Sequence, residues 1–421
     1  MTVLIAGAGI GGLTLGLSLF QAGIPFRIFE SAPELRPLGV GINLQPHAVR
    51  ELAELGLLDD LDPIGLRTRE VAYVARNGKT VWSEPRGAEA GYRWPQFSIH
   101  RGKLQMLLHD RLTALAGGDV IRPGHAIVDW AEDGDDVVVT LEDRATGASL
   151  GTARGSLFIA ADGIHSAARA RLHPNEGPPV WGGTMMWRGV TRGPRFLTGR
   201  TMAMIGTKTC KFVCYPLADD GEDGSVINWI ADLTLAPDTL TNRADWTRKG
   251  RLEDFLPEFE AFAFDWLDVP AIIRGAGDIY EYPMADRDPL PQWTHGRMTL
   301  LGDAAHAMYP IGSNGASQAI IDARVLVREI LRHGETQAAL QAYEAERRPV
   351  TTAIVLANRG DGPDAVLDAV EARAPNGFDR IEDVLSREEL VATAATYKKL
   401  AGFDVEALNA RAPILDLPPP V

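Results

Sequence analysis

Cysteine is nearly absent from this chain: Cys210 and Cys214 are the only two among 421 residues. They lie four apart in an apolar stretch of strand character, which puts both side chains on one face but too far apart along it for a disulfide. With no further ligands nearby they do not make a metal site, and they read as buried free thiols suited to a reducing compartment. No run of about eighteen apolar residues occurs, so no transmembrane helix and no membrane insertion are predicted. The N-terminus enters strand-like residues directly, without a basic region or a small-residue cleavage site, so no signal peptide is expected and a cytoplasmic location is the default. A basic surplus is missing as well. With 42 Lys and Arg against 56 Asp and Glu, the net charge of -14 argues against a nucleic-acid partner. Internal repeats, low-complexity tracts and any local Ser-His-Asp signature are also lacking, which removes solenoids and the serine hydrolases recognised by such motifs.

What remains is the composition of a globular protein, 45% hydrophobic and 23% charged, long enough for two or three domains. The chain opens with VLIAGAGIGGLTLGLSLFQAGIPFRIFE, which reads as strand, glycine turn, helix, strand and acid. Gly7, Gly9 and Gly12 form GxGxxG, allowing a tight turn, close approach of backbone to a pyrophosphate, and close helix packing. Leu13, Leu17 and Phe20 recur at helical spacing, and the helix start offers amides and a positive dipole end to phosphates. Glu30, ending the second strand, stands where an acceptor for ribose hydroxyls belongs.

Further along, Pro46 starts a helix that ends near Gly56, and Arg76-Asn77-Gly78 turns a hairpin between Glu70 and Ser83. Arg101 and Gln105 share one face of a helix whose expected buried stripe is Leu104, Leu107, Leu108 and Leu112; that face is either solvated or reaches a common ligand. Leu157 to Ala160 make another buried strand, followed by Asp162-Gly163, which is an ordinary turn or a ligand edge, and by Ser166 as a helix cap. From Trp181 to about Gly275 strand-like runs rich in aromatics and methionine predict an inserted antiparallel sheet. Trp187, Trp229, Trp246 and Trp266 fall here, and Met186, Trp187, Met204, Phe212 and Tyr215 serve either its core or a pocket beneath it. Met298 to Leu301 form a last apolar strand. Gly302-Asp303 ends it, and Pro310, Gly312 and Gly315 make a stiff loop entering a helix near Ala316, with His306 either a base or a packing residue. The closing prolines suggest a frayed end.

GAGIGG with Glu30, the ADG at 161–163 and LGDAAH with PIGSNGA at 301–316, in that order, are similar to the motifs of the single-component FAD-dependent aromatic hydroxylases typified by p-hydroxybenzoate and salicylate hydroxylases. Within that family RPLGVGINLQP, VWSEPRG, SIHRGKLQM, MWRGVT and YPMADRDPLP most resemble the phenazine-modifying members. The resemblance implies an α/β fold. A Rossmann-type, glutathione-reductase-like FAD-binding domain would occupy 1–70, 98–180 and 276–355, with a substrate domain at 71–97 and 181–275 and a helical C-terminal segment from 356 to 421. It implies FAD held by Gly7, Gly9, Gly12, Glu30, Arg36, Val40, Arg101, Gln105, Asp162, Asp303, Pro310, Gly312, Asn314, Gly315 and Ala316. NADH or NADPH would act as a transient reductant, since no separate fold for it is visible. O2 would be split through a flavin C4a-hydroperoxide, one atom entering a small aromatic ring and the other leaving as water. Trp187, Arg188, Met204, Phe212 and Tyr215 are the expected substrate residues, with Arg188 a carboxylate partner or a structural ion pair. Tyr215 and His306 are the candidate bases, and no metal is expected. Hydroxylation at a carboxylate-bearing carbon would expel carbon dioxide. A FAD-dependent oxygenase of polyketides, isoprenoids or antibiotics and a non-catalytic flavoprotein sensor are the competing readings. The chain is expected to be a monomer or a homodimer.

Overall fold

The computed structural model describes residues 2–219, 221, 224–236, 248–360, 362 and 365–420; Trp246 lies outside them. Apolar segments with every residue buried, such as Val3–Ala6 and Leu157–Ala160, suit a parallel sheet covered on both faces. That sheet has five strands, ordered Met298–Leu300, Leu157–Ala160, Val3–Ala6, Phe26–Glu30 and Ile121–Pro123, all paired in parallel. The helices Ile10–Gln21 and Gly315–His333 pack side by side, and both start at the carboxyl ends of these strands. Ligands bind at that edge in open α/β sheets.

The second sheet has seven strands in the order Ile279–Asp286, Val180–Gly193, Ser225–Thr234, Cys210–Asp219, Thr201–Gly206, Glu70–Val74 and Thr80–Pro85. It is antiparallel except at one seam, where Thr201 to Ile205 run parallel to Glu70 to Val74. The hairpin at Asn77-Gly78 thus adds its two strands to the sheet predicted for 181–275. Ile279–Asp286, which lies beyond the expected boundary at 275, pairs with the strand Val180–Gly193 and closes the other edge. Its alternating buried and half-buried residues extend the same wall, a continuation that a boundary drawn by composition does not register.

The helix Gln337–Arg359 runs straight through Pro349, past the expected boundary at 356, and shorter helices follow at Ala365–Arg373, Arg387–Leu400 and Val405–Ala410. Arg387–Leu400 is opened by a capping box between Ser386 and Glu389. The terminal prolines are tied down rather than frayed. Pro418 and Pro420 offer carbonyls that accept from Gln21 Nε2 at 2.8 Å and Arg111 Nη2 at 3.1 Å. Among the described residues no helix is long and apolar enough to cross a membrane.

Candidate active site

Gly7 is held by its amide, which donates to the Phe29 carbonyl at 2.8 Å, and Gly12 sits so close behind it that a Cβ would overlap the Gly7 carbonyl oxygen. Gly9 is different: a Cβ there would meet nothing within 4 Å, because it would stand in a cavity of about 640 Å³. The Glu30 carboxylate accepts from Ala8 N at 2.8 Å and Ala32 N at 2.7 Å, binding the second strand to the glycine turn. Gln105 Nε2 donates to the Ala8 carbonyl at 2.8 Å, so it supports the same turn from below. Neither side chain lines the cavity, whereas Arg101 and Val40 do. Arg36 points elsewhere. It pairs with Glu34 at 2.8 Å with its side chain 67% exposed, which removes it from the cofactor set expected from sequence.

Asp162 lines the cavity, and its Oδ2 accepts from Ala167 N at 2.9 Å. Its Oδ1 is buried without a hydrogen-bond partner, and burial raises its carboxyl above the usual range. Asp303 is exposed on the same wall, followed by Pro310, Gly312, Asn314, Gly315 and Ala316. Gly312 adopts φ 73°, and a side chain there would run into the Tyr397 ring. Sequence reasoning missed Arg169. Capped into place by Ser166, it donates to the carbonyls of Ala304 and Ala305 at 3.1 and 3.0 Å and pairs with Glu176, so it clamps the 162 turn to the 303 turn. His306 does not reach the cavity. Its Nε2 lies 2.5 Å from Asp322 Oδ2 and its ring packs on Trp293. Burial would raise Asp322, but His306 and Arg347 outweigh it and hold the carboxyl near 2. A histidine locked in this way is structural, so the expected base at 306 is withdrawn.

The seven-stranded sheet forms the roof, and its register sorts the side chains. Tyr282, Met186, Asp232 and Lys211 stand in one cross-strand row. Arg188, Ile230, Val213 and Met204 form the next, and Asn228 with Tyr215 the third. All but Asn228 line the cavity directly. Trp187 and Phe212 occupy the alternate positions and face away. Trp187 stacks on Phe255 at 4.8 Å and Phe212 packs among Trp229 and Phe259 in the outer core, so neither is a substrate residue. Alternation carried the signal: in one strand Phe212 and Tyr215, three apart, cannot share a face. Cys210 and Cys214 also lie in the outer core as free thiols, and burial pushes Cys210 up to about 11.

Tyr215 is buried, which pushes its hydroxyl up to about 12 although Arg188 and Asn228 pull it down. It keeps its proton at neutral pH and is a donor rather than the base expected for it. Arg188 Nη2 donates to the Gly41 carbonyl at 3.0 Å, while the Gly41 amide donates to Asn228 Oδ1 at 2.6 Å. The loop over the cavity is thereby fastened to the roof, and Arg188 is engaged in that joint.

The cavity fits FAD on its own terms. Gly9 leaves open space at a helix start where a pyrophosphate would lie, Asp162 offers a free acceptor, and the 310–316 loop presents backbone beside the roof. A family model described as an FAD binding domain matches residues 1–189 and 279–358. Among curated proteins, phenazine 1,6-dicarboxylic acid hydroxylase of Lysobacter antibioticus is 46% identical over 85% of this chain and 89% of its own length. Salicylate hydroxylase of Pseudomonas putida is 30% identical over 82% of this chain and 81% of its own length. Klebsiella pneumoniae HpxO, solved with FAD and uric acid, superposes with a TM-score of 0.71 at 24% identity, over 96% of this chain and 93% of that one.

Proposed function

Since the chain belongs to the FAD-binding-domain family of flavoprotein hydroxylases, we propose that it is an NAD(P)H-dependent monooxygenase that hydroxylates a heteroaromatic acid of the phenazine carboxylate class. The observation that carries this reading is one continuous cavity, from the GxGxxG turn past Asp303 and Asn314 to a largely apolar roof. The chemistry supplied by bound FAD is hydride acceptance from NADH or NADPH and activation of O2 for insertion into the ring. Backbone at Gly9 and Gly11, with Arg101, Asp162 and Asp303, would hold its adenine and ribityl portions. Val40 and the run Pro310, Gly312, Asn314, Gly315 and Ala316 would bracket the ring system.

The chain's own contribution is to bind, orient and keep dry. Met186, Met204, Val213 and Ile230 give the ring an apolar ceiling and exclude water. Tyr215 Oη, beside Arg188 and Asn228, would donate to an oxygen or nitrogen of the substrate and retains its proton through the neutral range. No base is needed when a ring hydroxyl or amine already activates the carbon attacked. A carboxyl on that carbon leaves as carbon dioxide.

The two buried thiols support a cytoplasmic location, and the working assembly is a monomer or homodimer. The domain division is proposed as 1–70, 98–180 and 276–355 for the cofactor, 71–97 and 181–275 for the substrate, with the edge strand Ile279–Asp286 serving the latter, and 356–421 as the helical tail. Oxygen uptake and NADH or NADPH oxidation by the purified yellow protein test the function. Both rise on addition of phenazine-1,6-dicarboxylate or phenazine-1-carboxylate, with a hydroxylated product by mass spectrometry. A flavin-loaded protein whose oxidation no aromatic acid stimulates overturns the reading.

A further inference from the structure

We propose that Lys211, braced by Asp232, is the specificity-determining residue that holds a second carboxylate at the end of the substrate remote from Tyr215; this rests on the aromatic-acid reading above. Lys211 and Tyr215 point into the same cavity from one strand. Four residues of strand separate them by about 13 Å. The row between them is apolar across Ile230, Val213 and Met204. The roof therefore offers a flat apolar strip with a polar group at each end, which matches a fused aromatic nucleus with substituents at opposite ends.

The Lys211 and Asp232 side chains are only 8% and 6% exposed. Burying such a pair carries a desolvation penalty, and an apolar pair in its place is often equally stable or more so. All its neighbours in the next row but Arg188 are apolar, so stability alone does not account for charge here. The Nζ to Oδ2 separation is 3.6 Å, longer than a closed hydrogen bond. Asp232 offsets the charge of the ammonium and orients it, while an ammonium carries three donors and suits a carboxylate oxygen. Arg188, expected from sequence to be a carboxylate partner or a structural ion pair, gives its Nη2 to the Gly41 carbonyl at 3.0 Å and stands in the row nearer Tyr215. Lys211, paired with Asp232, stands in the row farther from Tyr215.

The test uses the FAD-loaded enzyme, reading the flavin absorbance change as phenazine-1,6-dicarboxylate or phenazine-1-carboxylate is titrated in. The wild type binds the dicarboxylate about ten-fold or more tightly than the monocarboxylate, and Lys211→Met brings that ratio close to one. Lys211→Arg restores most of the preference. The double variant Lys211→Met with Asp232→Leu leaves no buried charge unpaired, and it decides the matter if the single variant loses FAD. A wild-type ratio near one, or a flavin-loaded Lys211→Met or double variant with the wild-type ratio, overturns the assignment. A wild type that retains FAD but binds neither acid overturns the aromatic-acid reading and this assignment together.

Discussion

Tyr397, from the helix Arg387–Leu400, places its hydroxyl 2.9 Å from Asn314 Nδ2, where it accepts from the loop beside the cofactor cavity. The same hydroxyl donates to Asn358 Oδ1 at 3.0 Å and has the Ile311 carbonyl at 3.3 Å. A helix some eighty residues downstream thus fixes the 311–314 loop.

Removing that hydroxyl should loosen the loop without emptying the core. Tyr397→Phe leaves buried partners on Asn314 and Asn358 short of a hydrogen bond, a loss of about 1–3 kcal/mol. The expected outcome is FAD binding weakened about five-fold or more, read by flavin fluorescence on dilution, with a lowered Tm. Unchanged FAD affinity would detach the C-terminal helices from cofactor binding.

Two glycines of one motif should fail differently. Gly9→Val fills the space in front of the helix start, so the protein folds, shows native circular dichroism and comes off the column colourless. Gly12→Ala drives a Cβ into the Gly7 carbonyl oxygen and should lower the yield of folded protein itself. A yellow Gly9→Val protein would move the pyrophosphate elsewhere.

Tyr215→Phe should cut kcat by about ten-fold or more by removing one donor from the cavity. The shape of the pH profile between 6 and 9 stays the same, because the hydroxyl ionises only near 12. Loss of a limb from that profile in the variant would reinstate Tyr215 as a base.

Phe212→Ala should cost about 3–5 kcal/mol of stability by opening the outer core, while KM for the aromatic substrate is unchanged. Met204→Ala, on the cavity face, does the reverse, raising KM with a smaller fall in Tm. Equal effects on KM would mean that the sheet's two faces are not separated as described.

Asp322 makes acid stability predictable in sign. Its carboxyl is held near 2, below the ordinary 3.8, by His306 and Arg347 against the opposing effect of burial. The folded state therefore gains about 2 kcal/mol above pH 4, and that gain disappears as the pH falls from about 4 through 2. Asp322→Asn should lower stability at pH 7 and flatten this part of the acid curve, as measured by urea unfolding at a series of pH values.

The cofactor half was legible because its constraints are local. Gly7, Gly9, Gly12 and Glu30 are spaced by one strand, one turn and one helix, and the turns after 160 and 301 each follow a wholly buried strand. The roof was only half legible. Its strands were visible, yet which residues face the cavity depends on alternation within each strand, and Trp187 and Phe212 were drawn in by their size although their parity places them outside. Lys211, Arg169 and Tyr397 were invisible for another reason: each acts on a partner that only folding brings near, and a lone charged or aromatic residue in an amphipathic stretch carries no mark of that partner.

The joint at Gly41 has a thermodynamic consequence. Its amide and carbonyl are both taken by roof residues, Asn228 and Arg188, while its neighbour Val40 lines the space opposite the 310–316 loop. A displacement of this loop by a bound ring system would reach the ceiling above the substrate through these two hydrogen bonds, and the reverse would hold equally. Linkage then requires that the factor by which FAD tightens substrate binding equal the factor by which substrate tightens FAD. Arg188, which itself lines the cavity, and Asn228 form the joint through which such a factor would act, so substitutions there are expected to change it.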